Sequence, residues 1–178
     1  MGHKHTKGEI LEGALAAAFD DGLSQLTFGR LAKRLDISDR IVVYYFPTKE
    51  ALVSEVVMAM GLQLRETLAE AFSKPVADHL ELMAAAWPVV ATTEVDRVFA
   101  LFFEANGLAA VGRDPYRDLV PTLVGAWIDW AAVFIDGPPQ YRRAEAETAV
   151  ALLDGLLLLR QLAGPDAAER AATAFGIR

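Results

Sequence analysis

The chain has 178 residues, 53% of them apolar, no cysteine and a formal net charge of −7. That length suits one ordinary domain, or a small head on a larger body, with a core that needs neither disulfide nor metal. The missing cysteines exclude disulfides, thiol nucleophiles and thiolate metal sites, while the apolar fraction excludes a disordered chain and hints at an oligomeric surface.

β-branched alternation is scarce and Ala, Leu and Glu abound, so the chain reads as all-α. A first helix is expected from about Thr6 to Asp21, where Ile10, Leu11, Ala14, Leu15, Ala18 and Phe19 form one apolar stripe and Gly22 supplies a stop. A second starts at Thr27, whose hydroxyl suits an N-cap, and carries Phe28, Leu31, Ala32 and Leu35. Asp36 and Ile37 make a short turn, and Ser38 caps a third helix reaching about Tyr45. Pro47 and Thr48 lead into a fourth helix, from Lys49 to about Phe72. None of these starts is expected to close a full capping box, which needs an acidic residue at the third helical position. Pro75 separates this part from helices at about 76–91, 93–111, 115–136, 141–163 and 166–175. Pro88 and Pro121 fall inside two of these and would bend them or push their starts later. Residues 119–135 approach membrane-spanning length, but Pro121 and Asp129 within them favour a buried helix. Residues 1–9 are polar and give no secretory signal, so the expected location is the cytoplasm.

The acidic charge is unevenly spread. Residues 1–52 hold seven Lys/Arg and seven Asp/Glu, and the rest of the chain carries the whole excess. Within 27–49 five basic residues (Arg30, Lys33, Arg34, Arg40, Lys49) face two acidic ones (Asp36, Asp39). A mildly basic head on an acidic body would orient the molecule on a phosphate surface.

The sharpest motif is a pair of helices of about eight residues joined by a tight turn and followed by Tyr-Tyr-Phe-Pro-Thr-Lys-Glu-Ala-Leu. In such a pair the first helix crosses the phosphate backbone while the second enters the major groove. Leu31, Leu35, Ile37 and Val42 have the spacing to lock the two together. That leaves Ser38, Asp39, Arg40, Ile41, Val43, Tyr44 and Tyr45 to face DNA or solvent.

These residues resemble the head of the TetR family of bacterial repressors. Thr27, Leu31, Ala32, Leu35, Ile37, Ser38, Tyr44, Phe46, Lys49, Glu50 and Leu52 stand in matching register, and the motif resemblance covers about residues 6–56. Three positions depart from the family pattern. Asp36 stands where Gly is usual, Tyr45 where His is frequent, and Val43 where an aromatic is frequent. Asp tolerates a left-handed backbone better than most residues, so the turn survives the change. The resemblance implies that Thr27, Ser38, Tyr44 and Lys49 touch phosphates. It leaves Arg40 either reading guanine O6 and N7 or simply solvated, and Asp39 either accepting from a cytosine amine or capping its helix. Phe28, Tyr45 and Phe46 are as compatible with head packing as with contact.

From Ala149 to Leu159 only Asp154 is polar, and a helix apolar all round must be covered on all sides. The helix at 141–163, packed with that at 115–136, would make a four-helix bundle across a two-fold axis, as the resemblance also implies. Trp127, Phe134, Val150, Leu153, Leu156, Leu157 and Arg160 are the expected interface. The resemblance further implies a pocket in the body for a small apolar or aromatic effector. Met83, Trp87, Phe99, Phe102, Phe103, Asn106, Trp127 and Trp130 are the candidate lining, and Glu104, Arg97 and Asp129 are further polar contacts, although aromatics at helical spacing also simply fill cores.

The expected organisation is therefore a helix-turn-helix head over 1–47 and a ligand-binding and dimerisation body over 48–178. The partners expected are an operator in double-stranded DNA, a second copy and a small-molecule effector, with no membrane and no cofactor. An enzyme finds little support: there is no phosphate loop and no HExxH, and the only histidines are His3, His5 and His79. The alternative is a ligand-binding helical dimer of the same family that no longer binds DNA, which the weakly basic head and the acids at its turn would fit.

Overall fold

The computed structural model describes residues 5–177, so His3 lies outside the described residues. Among these residues the chain is all-α, as its composition requires. The helices are α1 (Lys7–Asp21), α2 (Phe28–Leu35), α3 (Asp39–Tyr45), α4 (Lys49–Ala69), α5 (His79–Val90), α6 (Thr93–Ala110), α7 (Tyr116–Ala132), α8 (Pro139–Ala163) and α9 (Pro165–Ala174), with a short 3-10 turn at Leu23–Gln25. No helix is long and apolar enough to cross a membrane.

The helix starts follow from local hydrogen bonding. Thr6 accepts from the Glu9 amide at 3.2 Å, and the Glu9 carboxylate accepts from the Thr6 amide at 2.8 Å, a complete capping box that the sequence reading passed over. Thr27 caps α2 by accepting from the Arg30 amide at 3.3 Å, and Thr48 caps α4 by accepting from Ala51 at 3.1 Å. Ser38 occupies the N-cap position of α3, but its side chain makes no capping bond. α5 begins at His79 instead of residue 76 because Asp78 caps it, accepting from the Leu80 and Glu81 amides. The residues before it are held elsewhere. Val76 donates to the Phe134 carbonyl and accepts from the Asp136 amide, each at 2.8 Å, which makes an isolated parallel bridge with Ile135. Pro88 and Pro121 stay inside α5 and α7.

The described residues gather into two compact units, one drawn from residues 1–62 and 101–120, the other from 63–100 and 121–178. In the first, α1 packs on α2 and α2 on α3 around Ile10, Ala14, Leu31, Val42 and Phe46, all buried. In the second, α8 packs on α5 and α9. Met83, Trp87, Leu156, Leu157, Ala168 and Ala172 fill its core. Two polar clamps tie these helices together. The Trp87 indole donates to Glu169 at 2.9 Å, and Glu145 takes both the amide of His79 at 2.9 Å and its ring Nδ1. The His79 contact holds the Glu145 carboxyl below its usual range.

The turn between α2 and α3 depends on Asp36, which sits in the left-handed region at φ 54° and ψ 45°. That conformation lets the Ile37 amide return to the Ala32 carbonyl at 3.0 Å. A Cβ there is strained, and a β-branched one more so. Asp36→Gly should therefore raise stability by about 0.5–1 kcal/mol and Asp36→Val lower it by at least ~1 kcal/mol, read as opposite shifts in the urea midpoint.

Candidate functional site

α3 is short, and its packing decides what it shows. Val42 is wholly buried, which turns Arg40 and Tyr44 to the opposite side. Tyr44 is 79% exposed and Val43 42%, while Asp39 and Arg40 are also exposed and Ile41 half-buried. Tyr45 differs. It is half-buried, its ring lies edge-on to Tyr44 at 4.9 Å, and its hydroxyl donates to the His5 carbonyl at 3.0 Å. Phe46 is buried with Lys7 above its ring, whereas Phe28 is half-buried.

Thr27, Ser38 and Lys49 all lie on the surface at helix starts: Thr27 and Ser38 at the N-caps of α2 and α3, and Lys49 as the first residue of α4. Free backbone amides and the positive end of the helix dipole gather at such places, which suits phosphate oxygens. The cations divide into two groups. Lys7 pairs with Glu55 and Arg34 with Asp20, each at 2.6 Å, and Arg30 donates to Gln25 at 2.7 Å. Lys33, Arg40 and Lys49 are exposed and have no acidic partner among the described residues. The sequence does not distinguish Lys33 from the other cations of 27–49, because which of them find an acidic partner depends on the packing of α1.

The body candidates fall in both units. Met83, Trp87 and Phe99 are sealed in the core of the second unit. Phe102 and Phe103, 5.9 Å apart, and Asn106 belong to the first unit, where all three are half-buried. The Asn106 Oδ1 is buried without a hydrogen-bond partner. Trp127 and Trp130 are brought together edge to face at 5.2 Å, and Phe72 and Phe134 extend the cluster. Glu104 is engaged with the 3-10 turn, accepting from the Leu23 and Ser24 amides at 2.8 Å each. Asp129 is bonded to Arg143 at 2.6 Å. Both line a separate cleft of about 270 Å³ with Ala132, Val133, Pro139 and Arg142.

On α8, Leu156 and Leu157 are spent inside the second unit, and Arg160 is paired with Asp96 at 2.7 Å. Val150 and Leu153 are half-buried. The outward stripe runs through Ala144, Thr148, Ala151, Gly155, Leu158 and Leu162, with Leu162 78% exposed. Beside it, Asp154 has its carboxyl pushed up to about 6 by burial.

A short two-helix reader with an exposed second helix, and cations and helix starts around it, defines a helix-turn-helix DNA-binding domain. Residues 10–56 match the model of the bacterial regulatory proteins of the tetR family, so this head is a TetR-family DNA-binding domain. A sequence comparison with curated proteins gives no match. The whole chain has the fold of solved regulators. It resembles a TetR-family transcriptional regulator from Rhodococcus sp. at 16% identity and TM-score 0.74, over 97% of this chain and 98% of that one. It also resembles a transcriptional regulator from Saccharomonospora viridis in complex with choline, at 18% identity and TM-score 0.71, over 95% and 94%. A third similar structure is the multidrug binding protein EbrR complexed with imidazole, at 21% identity and TM-score 0.70, over 98% and 93%.

The Asp154 carboxyl gives a pH test. Its folded pKa lies above the ordinary 3.8, so its favourable protonated state is fully present below about pH 4 and lost as pH rises through about 6. Asp154→Asn should stabilise the protein at pH 7 by up to about 3 kcal/mol, with the gain vanishing near pH 4, as measured by thermal melts across that range.

Proposed function

We propose that this protein is a transcriptional repressor that binds a palindromic operator as a homodimer and is released by a small apolar or aromatic effector. Residues 1–47 act as the DNA-binding head and residues 48–178 as the ligand-binding and dimerisation body. The observation that carries this reading is the outward face of α3, Arg40, Val43 and Tyr44, on a TetR-family head with Lys49 at the next helix start. Arg40 reads a base edge, with Asp39, Ile41 and Val43 beside it in the groove. Thr27, Ser38, Tyr44 and Lys49 hold phosphates, and Lys33 joins them. Tyr45 reaches DNA only where its bond to His5 yields.

The dimer forms through the apolar stripe of α8 together with α7. Trp127, Phe134, Val150 and Leu153 border it, and Leu158 and Leu162 supply the exposed bulk. The effector binds in the body and favours a conformation with a different spacing of the two heads, which weakens operator binding. The protein acts in the cytoplasm, performs no catalysis and needs no cofactor.

Anisotropy of labelled DNA from upstream of the protein's own gene, or selected from random sequence, tests the head. Wild type should bind one sequence far more tightly than unrelated DNA. Tyr44→Ala and Lys49→Ala should each weaken binding by tenfold or more, and Lys49→Ala should flatten the salt slope by about two, one phosphate per head. No preferred sequence from either source would instead favour a family dimer that has left DNA. Leu158→Glu with Leu162→Glu should turn the dimer into a monomer in sedimentation, since the exposed parts of both leucines would be buried there and a carboxylate in their place would be desolvated; an unchanged mass would place the interface elsewhere.

A further inference from the structure

Trp127 and Trp130 hold a cation between them. The Arg65 guanidinium, from α4, lies 5.4 Å from the Trp127 ring centroid and 5.6 Å from that of Trp130. Its Nη2 donates to the Ala126 carbonyl at 2.6 Å. Two indole rings within cation–π range and a bond to fixed backbone hold the guanidinium in place. No carboxylate among the described residues pairs with it. The acid nearest in sequence to the two tryptophans, Asp129, is bonded to Arg143.

The remaining donors are open. Among the described residues Arg65 Nε and Nη1 and both indole N–H groups have no acceptor, and none of them is sealed from solvent. Trp127 and Trp130 are themselves only half-buried. The cluster thus offers aromatic faces, N–H donors and one positive charge anchored on the Ala126 carbonyl, with no carboxylate paired to it among the described residues. Such a lining selects a flat apolar ring carrying a negative charge, because only an anion gains from the guanidinium fork while its ring gains from the indoles. An organic cation on the same open indole surface would lie beside the guanidinium, with like charges adjacent and nothing to offset them.

We propose that Arg65, Trp127 and Trp130 form a binding subsite for a small aromatic monocarboxylate, its ring against the indoles and its carboxylate on the open edge of the guanidinium. The subsite names the chemical class of the effector, and its regulatory role rests on the function proposed above, although binding itself does not.

Tryptophan fluorescence of the full chain, titrated at neutral pH with benzoate, benzamide and choline, tests it. Trp87→Phe assigns the signal to the other two indoles. Benzoate should quench saturably and bind at least tenfold more tightly than benzamide, and choline should give no saturable change. Arg65→Met should bring benzoate down to the benzamide level, and Arg65→Lys, which keeps the charge and loses the fork, should fall between. Equal binding of benzoate and benzamide to wild type, tighter binding of choline, no saturable change with any probe, or unchanged benzoate affinity in Arg65→Met would each overturn the proposal. The first three outcomes need no folded variant. Adding benzoate to the DNA complex separates the two readings. Binding without DNA release leaves the subsite standing and removes its effector role, whereas a protein that binds benzoate and never binds DNA overturns only the repressor.

Discussion

How little of α3 the head is able to bury sets everything it presents outward. A seven-residue helix makes two turns, and Val42 takes its one wholly buried place, with Phe46 buried just past its end. At 100° per residue, Arg40 and Tyr44 then have nowhere to go but the far side. The lock works because Asp36 turns the chain through the left-handed region, so that α3 leaves α2 with the Ile37 amide already satisfied. One buried valine and one left-handed aspartate thus aim four or five side chains at whatever the head meets.

The same economy governs charge. A net of −7 suggests a molecule repelled by nucleic acid, yet two of the cations in and beside the motif are already matched by acids. Glu55 neutralises Lys7 and Asp20 neutralises Arg34, pairs too exposed to contribute much stability. Their effect is on the field: among the described residues Arg30, bonded only to the neutral Gln25, and Lys33, Arg40 and Lys49 keep charges without a counter-ion of their own. In the body, Asp129 with Arg143 and Asp96 with Arg160 remove charge in the same way, while Arg65 keeps its own.

Helical content, the order of the elements and the head motif were legible in the sequence because period, caps and breakers are local signals. The Thr6–Glu9 capping box was legible too, three residues apart, and was passed over. Ser38 shows the reverse, a residue with capping chemistry in the capping position that makes no capping bond. Non-local facts were hidden. Nothing in four consecutive leucines says that Leu156 and Leu157 face inward while Leu158 faces out, since that depends on where α5 and α9 lie. Nor does the sequence place Arg65 over two indoles some sixty residues away.

Glu104 bears on how the head can be made. Its carboxylate accepts the amides of Leu23 and Ser24, about eighty residues earlier, and closes on Gly22, where a Cβ would come within 3.0 Å of Oε2. A ribosome that has just released residue 60 has therefore delivered α1, α2 and α3 without the group that finishes the turn between the first two. Two amides must wait on water until α6 emerges, so the DNA-binding head is not complete when its own three helices have been made. An excised head would carry that unfinished turn permanently.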